Sequence, residues 1–251
     1  TSSVPGGAGA GSPPPLGQWM VMPDGDAFVH LWSIPIPGAG PEVRHSLLRI
    51  PAADDGTPVA DSLLKWHVEA ASPDPMAELK LVQAQPVWAV GTGPVIWWTP
   101  GDPYELRRFT SGGDLERIVE VPGDGVQLDD ALRSKIKAYM LRLQSPGSGG
   151  YSVMSGMLDR AIWPESLPRV ARLWVSDSRG RVFAARYDEG LFDDPLHMRI
   201  DVFDPDGSYE GRLDLPGGFT PRRFVQGAVY GVARDELDVS YAVRYQLLEP
   251  E

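Results

Sequence analysis

The side chains able to do chemistry are few and scattered. Four histidines, His30, His45, His67 and His197, show no i,i+4 pair and no partner ligand at zinc spacing, so they form no recognisable metal motif. The chain has no cysteine, which excludes disulfides, thiolate metal sites, iron–sulfur clusters and cysteine nucleophiles together. Asp24/Asp26 and Asp204/Asp206 carry the oxygen ligands calcium takes, but Asp204-Pro205-Asp206-Gly207 is too short for a calcium loop and suffices as a turn. In Gly150-Tyr151-Ser152-Val153 the next residue is Met154, where a serine nucleophile elbow needs glycine. Gly91-Thr92-Gly93 lacks the third glycine of a phosphate-cradling loop. The carboxylate pairs Asp54-Asp55, Asp129-Asp130, Asp193-Asp194 and Asp235-Glu236 are adjacent in sequence, so most of them must diverge, and they read as solvated turns or helix caps. No catalytic set and no cofactor is expected.

What remains is aromatic. Trp88, Trp97, Trp98 and Tyr104, with Arg107 beside them, are the candidate ligand-binding residues, because flat rings stack on sugars or grip a peptide and a guanidinium adds charge. Packing between sheets competes with that reading. Strand alternation sends Trp97 and Trp98 to opposite faces, so at most one of them can lie in a given layer.

These residues need elements to hold them, and composition says which. Glycine (28) and proline (25) make up about a fifth of the chain and punctuate short apolar runs, which favours strands and tight turns. A net charge of −11 repels phosphate backbones and anionic lipid, so no nucleic acid partner is expected. No run approaches the length of a membrane span, and no signal peptide is recognisable. Residues 1–16 lack apolar periodicity and are expected to form a flexible Ser/Gly/Pro-rich leader.

After the leader, Gln18–Met22 and Ala27–Trp32 flank a tight turn, and a strand over Glu42–Ile50 follows. Asp61-Ser62 predicts a cap for a short helix through Leu63, Leu64 and His67. A second group places strands at Val87–Val90, Val95–Trp98, Tyr104–Phe109 and Leu115–Val121. Leu132, Ile136, Tyr139, Met140 and Leu143 recur at helical spacing behind Asp129, which predicts an inserted amphipathic helix over about 129–145. Residues 145–156, rich in Ser and Gly, are expected to be a mobile loop. A third group runs Ala171–Val175, Val182–Tyr187, Met198–Phe203 and Tyr209–Leu215; a last one gives three strands, Arg223–Val225, Ala228–Arg234 and Tyr241–Leu248.

Asp-x-x-Gly or Pro-Asp-Gly turns recur at Asp24, Asp177 and Asp204, which argues for a repeat architecture. The ordered series Trp88-Ala89-Val90, Gly101-Asp102-Pro103-Tyr104-Glu105-Leu106, Leu173-Trp174-Val175, Val202-Phe203-Asp204-Pro205-Asp206-Gly207 and Val229-Tyr230-Gly231-Val232 with Asp235-Glu236-Leu237 resembles the C-terminal half of bacterial six-bladed β-propeller proteins of uncharacterised function. The resemblance covers about residues 80–248. It implies an all-β propeller fold over 17–251 and an extracytoplasmic, periplasmic or cell-envelope setting. About four blade-like groups are countable where it implies six. The expectation is therefore a partial ring, the C-terminal part of a longer product or one that self-associates to close.

The expected function is a non-enzymatic binding or scaffold module for a protein or a small-molecule or sugar ligand. The alternative is a propeller-type hydrolase or lactonase with a calcium or acidic site in the central channel. The familiar calcium-dependent lactonases use asparagine among their ligands, and this chain contains none.

Overall fold

A computed structural model describes residues 19–21, 25–32, 42–52, 60–69, 81–91, 95–142, 144, 149–176, 179–193, 196–235 and 239–247. The expected leader over 1–16 lies outside them. The chain divides into two compact units, residues 1–70 and residues 71–251.

The N-terminal unit is one antiparallel sheet in sequence order: β1 (Trp19–Val21), β2 (Ala27–Trp32), β3 (Glu42–Ile50) and β4 (Asp61–Glu69). β4 corrects the expected helix. Its segment satisfies helical spacing through Leu63, Leu64 and His67, but Leu64 and Trp66 also alternate with period two. Pairing against β3 decides between the two, setting Leu64 opposite the fully buried Leu47 and Trp66 opposite His45.

The C-terminal unit holds three sheets, each a meander in sequence order. The first blade is β5 (Val87–Val90), β6 (Ile96–Thr99), β7 (Glu105–Phe109) and β8 (Leu115–Glu120). The second is β9 (Val170–Val175), β10 (Val182–Arg186), β11 (Arg199–Phe203) and β12 (Tyr209–Asp214). The third has three strands, β13 (Phe219–Val225), β14 (Ala228–Arg234) and β15 (Ser240–Gln246). All pairings are antiparallel, and the fold is all-β of the β-propeller type.

Period-two alternation in the middle blade makes the stack. Val182, Ala184 and Phe203 face the first blade and pack with Ala89, Trp97, Tyr104 and Leu106. Phe183, Ala185, Ile200 and Val202 face the third and pack with Phe219, Phe224 and Val229. The Phe183 and Phe224 rings stack at 3.9 Å between centroids. The middle blade thus buries both faces, which is why β10 reads as a continuous apolar run.

Between the first two blades come α1 (Asp130–Arg142) and α2 (Gly149–Asp159). Asp129 caps α1, its Oδ1 accepting from the Leu132 N–H at 2.8 Å. Leu132 and Ile136 bury against Leu167 and Phe192, so the helix covers the β10–β11 connection. α2 corrects the expected loop over 145–156: Tyr151, Met154 and Leu158 hold helical spacing inside a Ser/Gly-rich composition, and Leu158 is buried. Neither described helix is long and apolar enough to cross a membrane.

Strand register brings two of the four histidines together in a structural contact. His30 on β2 and His45 on β3 share a hydrogen bond, Nε2 to Nδ1, at 2.9 Å, and both rings lie near Trp66. Burial and then the neighbouring His45 lower His30 from 6.5 to about 4; burial and then His67 also lower His45. The unfolded chain therefore binds more protons than the folded one between these values, and stability present above about 6.5 is lost as pH falls toward 4. Urea unfolding followed at β2 and β3 amides is expected to show a midpoint that drops between pH 7.5 and 4.5, and His30→Gln to remove most of the drop; a flat wild-type profile contradicts this.

Candidate functional site

The five residues singled out by type divide across the first blade. Trp97 and Tyr104 are 1% and 2% exposed and lie inside the packing between the first and second blades. Trp88, Trp98 and Arg107 are cross-strand neighbours on the other face, with the Arg107 guanidinium 5.1 Å above the Trp98 ring and ion-paired to Glu105. They do not form one surface.

What the first two blades assemble between them is a polar cluster around Asp201. This aspartate sits mid-strand in β11, opposite Ala184 on one side and Arg212 on the other, so the pleat aims it at the first blade. It is 1% exposed, and a buried carboxylate requires donors. Tyr104 supplies one from across the interface, its O–H donating to Oδ2 at 2.9 Å. Arg212 supplies another, Nε donating to Oδ1 at 3.3 Å, and Arg186 Nη1 stands 3.8 Å from Oδ2.

Tyr104 is placed by backbone geometry. Gly101, at φ +90, turns the chain between β6 and β7, and a side chain there would meet the Gln85 carbonyl oxygen at 2.7 Å. The Gly101 carbonyl accepts from the Arg169 and Val170 N–H groups at 2.8 and 2.9 Å, tying this turn to the start of the second blade. The Arg169 guanidinium lies 5.4 Å over the Tyr104 ring and donates to the Val121 carbonyl at 3.0 Å. Burial first, then the adjacent Asp201 charge, hold the phenol far above its ordinary pKa, so it stays a donor. The Asp201 hydrogen bond raises Arg212 further.

Beside this cluster opens a cleft of about 510 Å³, walled by Val119, Val121 and Pro122 of the first blade and by Phe203, Tyr209, Arg186 and Arg212 of the second. Its size suits a small organic ligand. Tyr209 is half exposed and packs edge-on to Phe203 at 5.5 Å. Among the described residues, Arg212 makes no hydrogen bond beyond the one to Asp201 and Arg186 makes none, so the outer N–H groups of both border the cleft unspent.

A second cavity, about 280 Å³, lies where α1 meets the β10–β11 connection, lined by Lys135, Asp188, Glu189, Asp193, His197 and Arg199 among others. Asp188 is 7% exposed. Its Oδ1 accepts from the Gly190 N–H at 2.9 Å, while among the described residues Oδ2 has no hydrogen bond and its ion-pair partner is Arg199 Nη1 at 3.6 Å. Lys135 pairs with Asp193 at 2.5 Å.

The calcium candidates are occupied by structural work. Asp204 Oδ1 accepts from the Asp206 and Ser208 N–H groups, and Asp206 Oδ1 from Ser208, closing the turn. Asp26 pairs with Arg49 at 2.5 Å and accepts from the Ala52 N–H; Asp24 lies outside the described residues. Among the described residues no three His, Asp or Glu side chains come together in a way that could hold a metal ion.

The sequence matches no protein-family model and no curated protein. Among the solved structures distantly similar to this chain are three propeller-type proteins. One is regucalcin from Agrobacterium tumefaciens, described as a calcium-binding protein, at 11% identity and TM-score 0.39, covering 93% of this chain and 64% of that one. Another is virginiamycin B lyase from Staphylococcus aureus, at 12% identity and TM-score 0.35, covering 93% and 70%. The third is a gluconolactonase from Xanthomonas campestris, at 15% and 0.33, covering 86% and 52%. The chain thus spans about half of the gluconolactonase and under two thirds of regucalcin. Likenesses this distant carry no argument about activity.

Removing one donor from Asp201 tests the cluster. Tyr104→Phe keeps the ring in its core and leaves Oδ2 with the distant Arg186 alone, so it is expected to cost about 1–3 kcal/mol of stability in urea unfolding. A loss within error of zero would show that Asp201 does not depend on the contact between blades.

Proposed function

We propose that this chain is a propeller-type protein that captures a small molecule in the cleft between its first two blades. The observation that carries the reading is the meeting, in one small-molecule-sized opening, of aliphatic and aromatic walls with unspent guanidinium donors fixed by a buried carboxylate. Donors held rigid before a ligand arrives lose little entropy on binding it. This narrows the broad expectation of a binding or scaffold module to small-molecule capture, and it moves the site away from Trp88, Trp98 and Arg107. The six-bladed family, an extracytoplasmic setting and closure of the ring with further blades or a second copy belong to the same proposal and rest on the sequence resemblance alone.

A second reading is ester or lactone hydrolysis. It is favoured by Asp188, a buried carboxylate whose Oδ2 has no hydrogen bond among the described residues, in a cavity that also offers His197 and Lys135. A carboxylate in that position has the chemistry of a general base for water.

One set of measurements separates the two. Ligand-observed NMR with a mixed panel of small acids, amides, amines, sugars and lactones is expected to find binders that Pro122→Trp, which fills the cleft, removes. Turnover of aryl esters or of gluconolactone, abolished by Asp188→Asn and untouched by Pro122→Trp, would instead establish the hydrolase. Asparagine at position 188 retains the Oδ1 acceptor for Gly190, so loss of turnover would not reflect a lost cap.

A further inference from the structure

We infer that the cleft between the first and second blades takes a small organic monocarboxylate, its carboxylate on the outer edges of Arg186 and Arg212 and its apolar body against Val119, Val121 and Tyr209. This rests on the cleft being the ligand site and names what that site selects.

Charge is the first ground. The chain carries a net −11, yet the cleft borders on two guanidiniums and one buried carboxylate, a surplus of one positive charge. Arg169 adds another at the Val121–Pro122 end, where it donates to both carbonyls. Glu120 also lines the opening, but β8 alternation settles its direction: Val119 packs toward the second blade, so Glu120 points to the other face, where its register partner is Glu105. A local cationic patch on an anionic protein concentrates anions there against the overall field.

Donor geometry is the second. Arg212 is 42% exposed at its side chain, lines the cleft and is anchored to Asp201 through Nε, and among the described residues neither of its Nη groups makes a hydrogen bond. Arg186 reaches Asp201 only at 3.8 Å and makes no hydrogen bond among the described residues. Planar forks match carboxylate oxygens bidentately, which a lysine cannot do. Asp201 behind them fixes their position and also limits the charge the site accepts. A dianion would face the buried carboxylate after one charge had been answered, and an ammonium would face two guanidiniums. The walls exclude a third class: Val119, Val121, Pro122 and Phe203 offer a polyol almost nothing to bond, whereas an alkyl or aryl body buries surface against them.

Isothermal titration of the whole chain with phenylacetate and hexanoate, each against its neutral amide, tests the inference. The acids are expected to bind at least about ten-fold more tightly than the amides, the worth of one charge-assisted pair. Arg212→Gln is expected to bring the acids down to the amides, and Arg212→Lys to recover only part of the difference. Tyr209→Ala changes a half-exposed ring and no charge, so it should weaken acid and amide alike and serves if Arg212→Gln fails to fold. Equal affinity for acid and amide, or displacement of phenylacetate by inorganic phosphate at equal concentration, overturns the carboxylate assignment. If amides or amines bind and Pro122→Trp removes them, the cleft stands and only the ligand class falls. If no probe binds, or Pro122→Trp leaves binding intact, both fall.

Discussion

A carboxylate that has lost its water must find donors in the protein, and at Asp201 those donors come from separate strands and from two blades. Tyr104 reaches it from the first blade, Arg212 from the neighbouring strand of its own, and Arg186 flanks it. Neither Tyr104 nor Arg212 can move without leaving a buried charge short of a donor. The apolar contacts of Trp97, Leu106, Val182 and Phe203 drive the blades together without direction, whereas the Asp201 cluster sets the offset at which they meet. The cleft beside it is what that offset leaves open.

The same arrangement separates two uses of aromatic residues. Trp97, Tyr104, Phe183 and Phe224 are spent inside the layers between blades, where area and ring geometry stabilise the stack. Tyr209, by contrast, stands half exposed on the outer strand of the second blade, at the wall of the cleft. The outer strands β8 and β12 pack little, and with the Val121-Pro122 segment that follows β8 they supply much of the cleft wall.

Much of the architecture is legible in the sequence because period-two alternation and Asp-Gly turns are local. The turn over Asp204–Gly207 forms for the reason its residues suggest, with Asp204 accepting from backbone N–H groups and Gly207 at φ +91. The strand β4 was not legible, because Asp61–Glu69 satisfies both periods and only the partner strand chooses. Helix α2 was hidden by its Ser and Gly content. The cleft depends on register across β10, β11 and β12 and on the fit of two blades, neither of which is a property of a local window. One signal was present: Asp201 stands between Ile200 and Val202, and a charge inside such an apolar run needs an answer elsewhere in the chain. His30 and His45 met for a similar reason, through a register that spacing alone does not give.

Gly207 has one more neighbour. A side chain at that position would overlap Val119 Cγ2 of the first blade and come within 3.5 Å of Trp97, so the turn that closes β11 onto β12 also sits directly against the adjacent sheet. The glycine therefore answers to two demands, the positive φ of its own hairpin and the clearance of its neighbour's outer strand. A smaller residue at 119 would open room on the neighbouring strand without freeing position 207, because the backbone there still asks for glycine; the hairpin and the blade contact are held by one residue for two separate reasons.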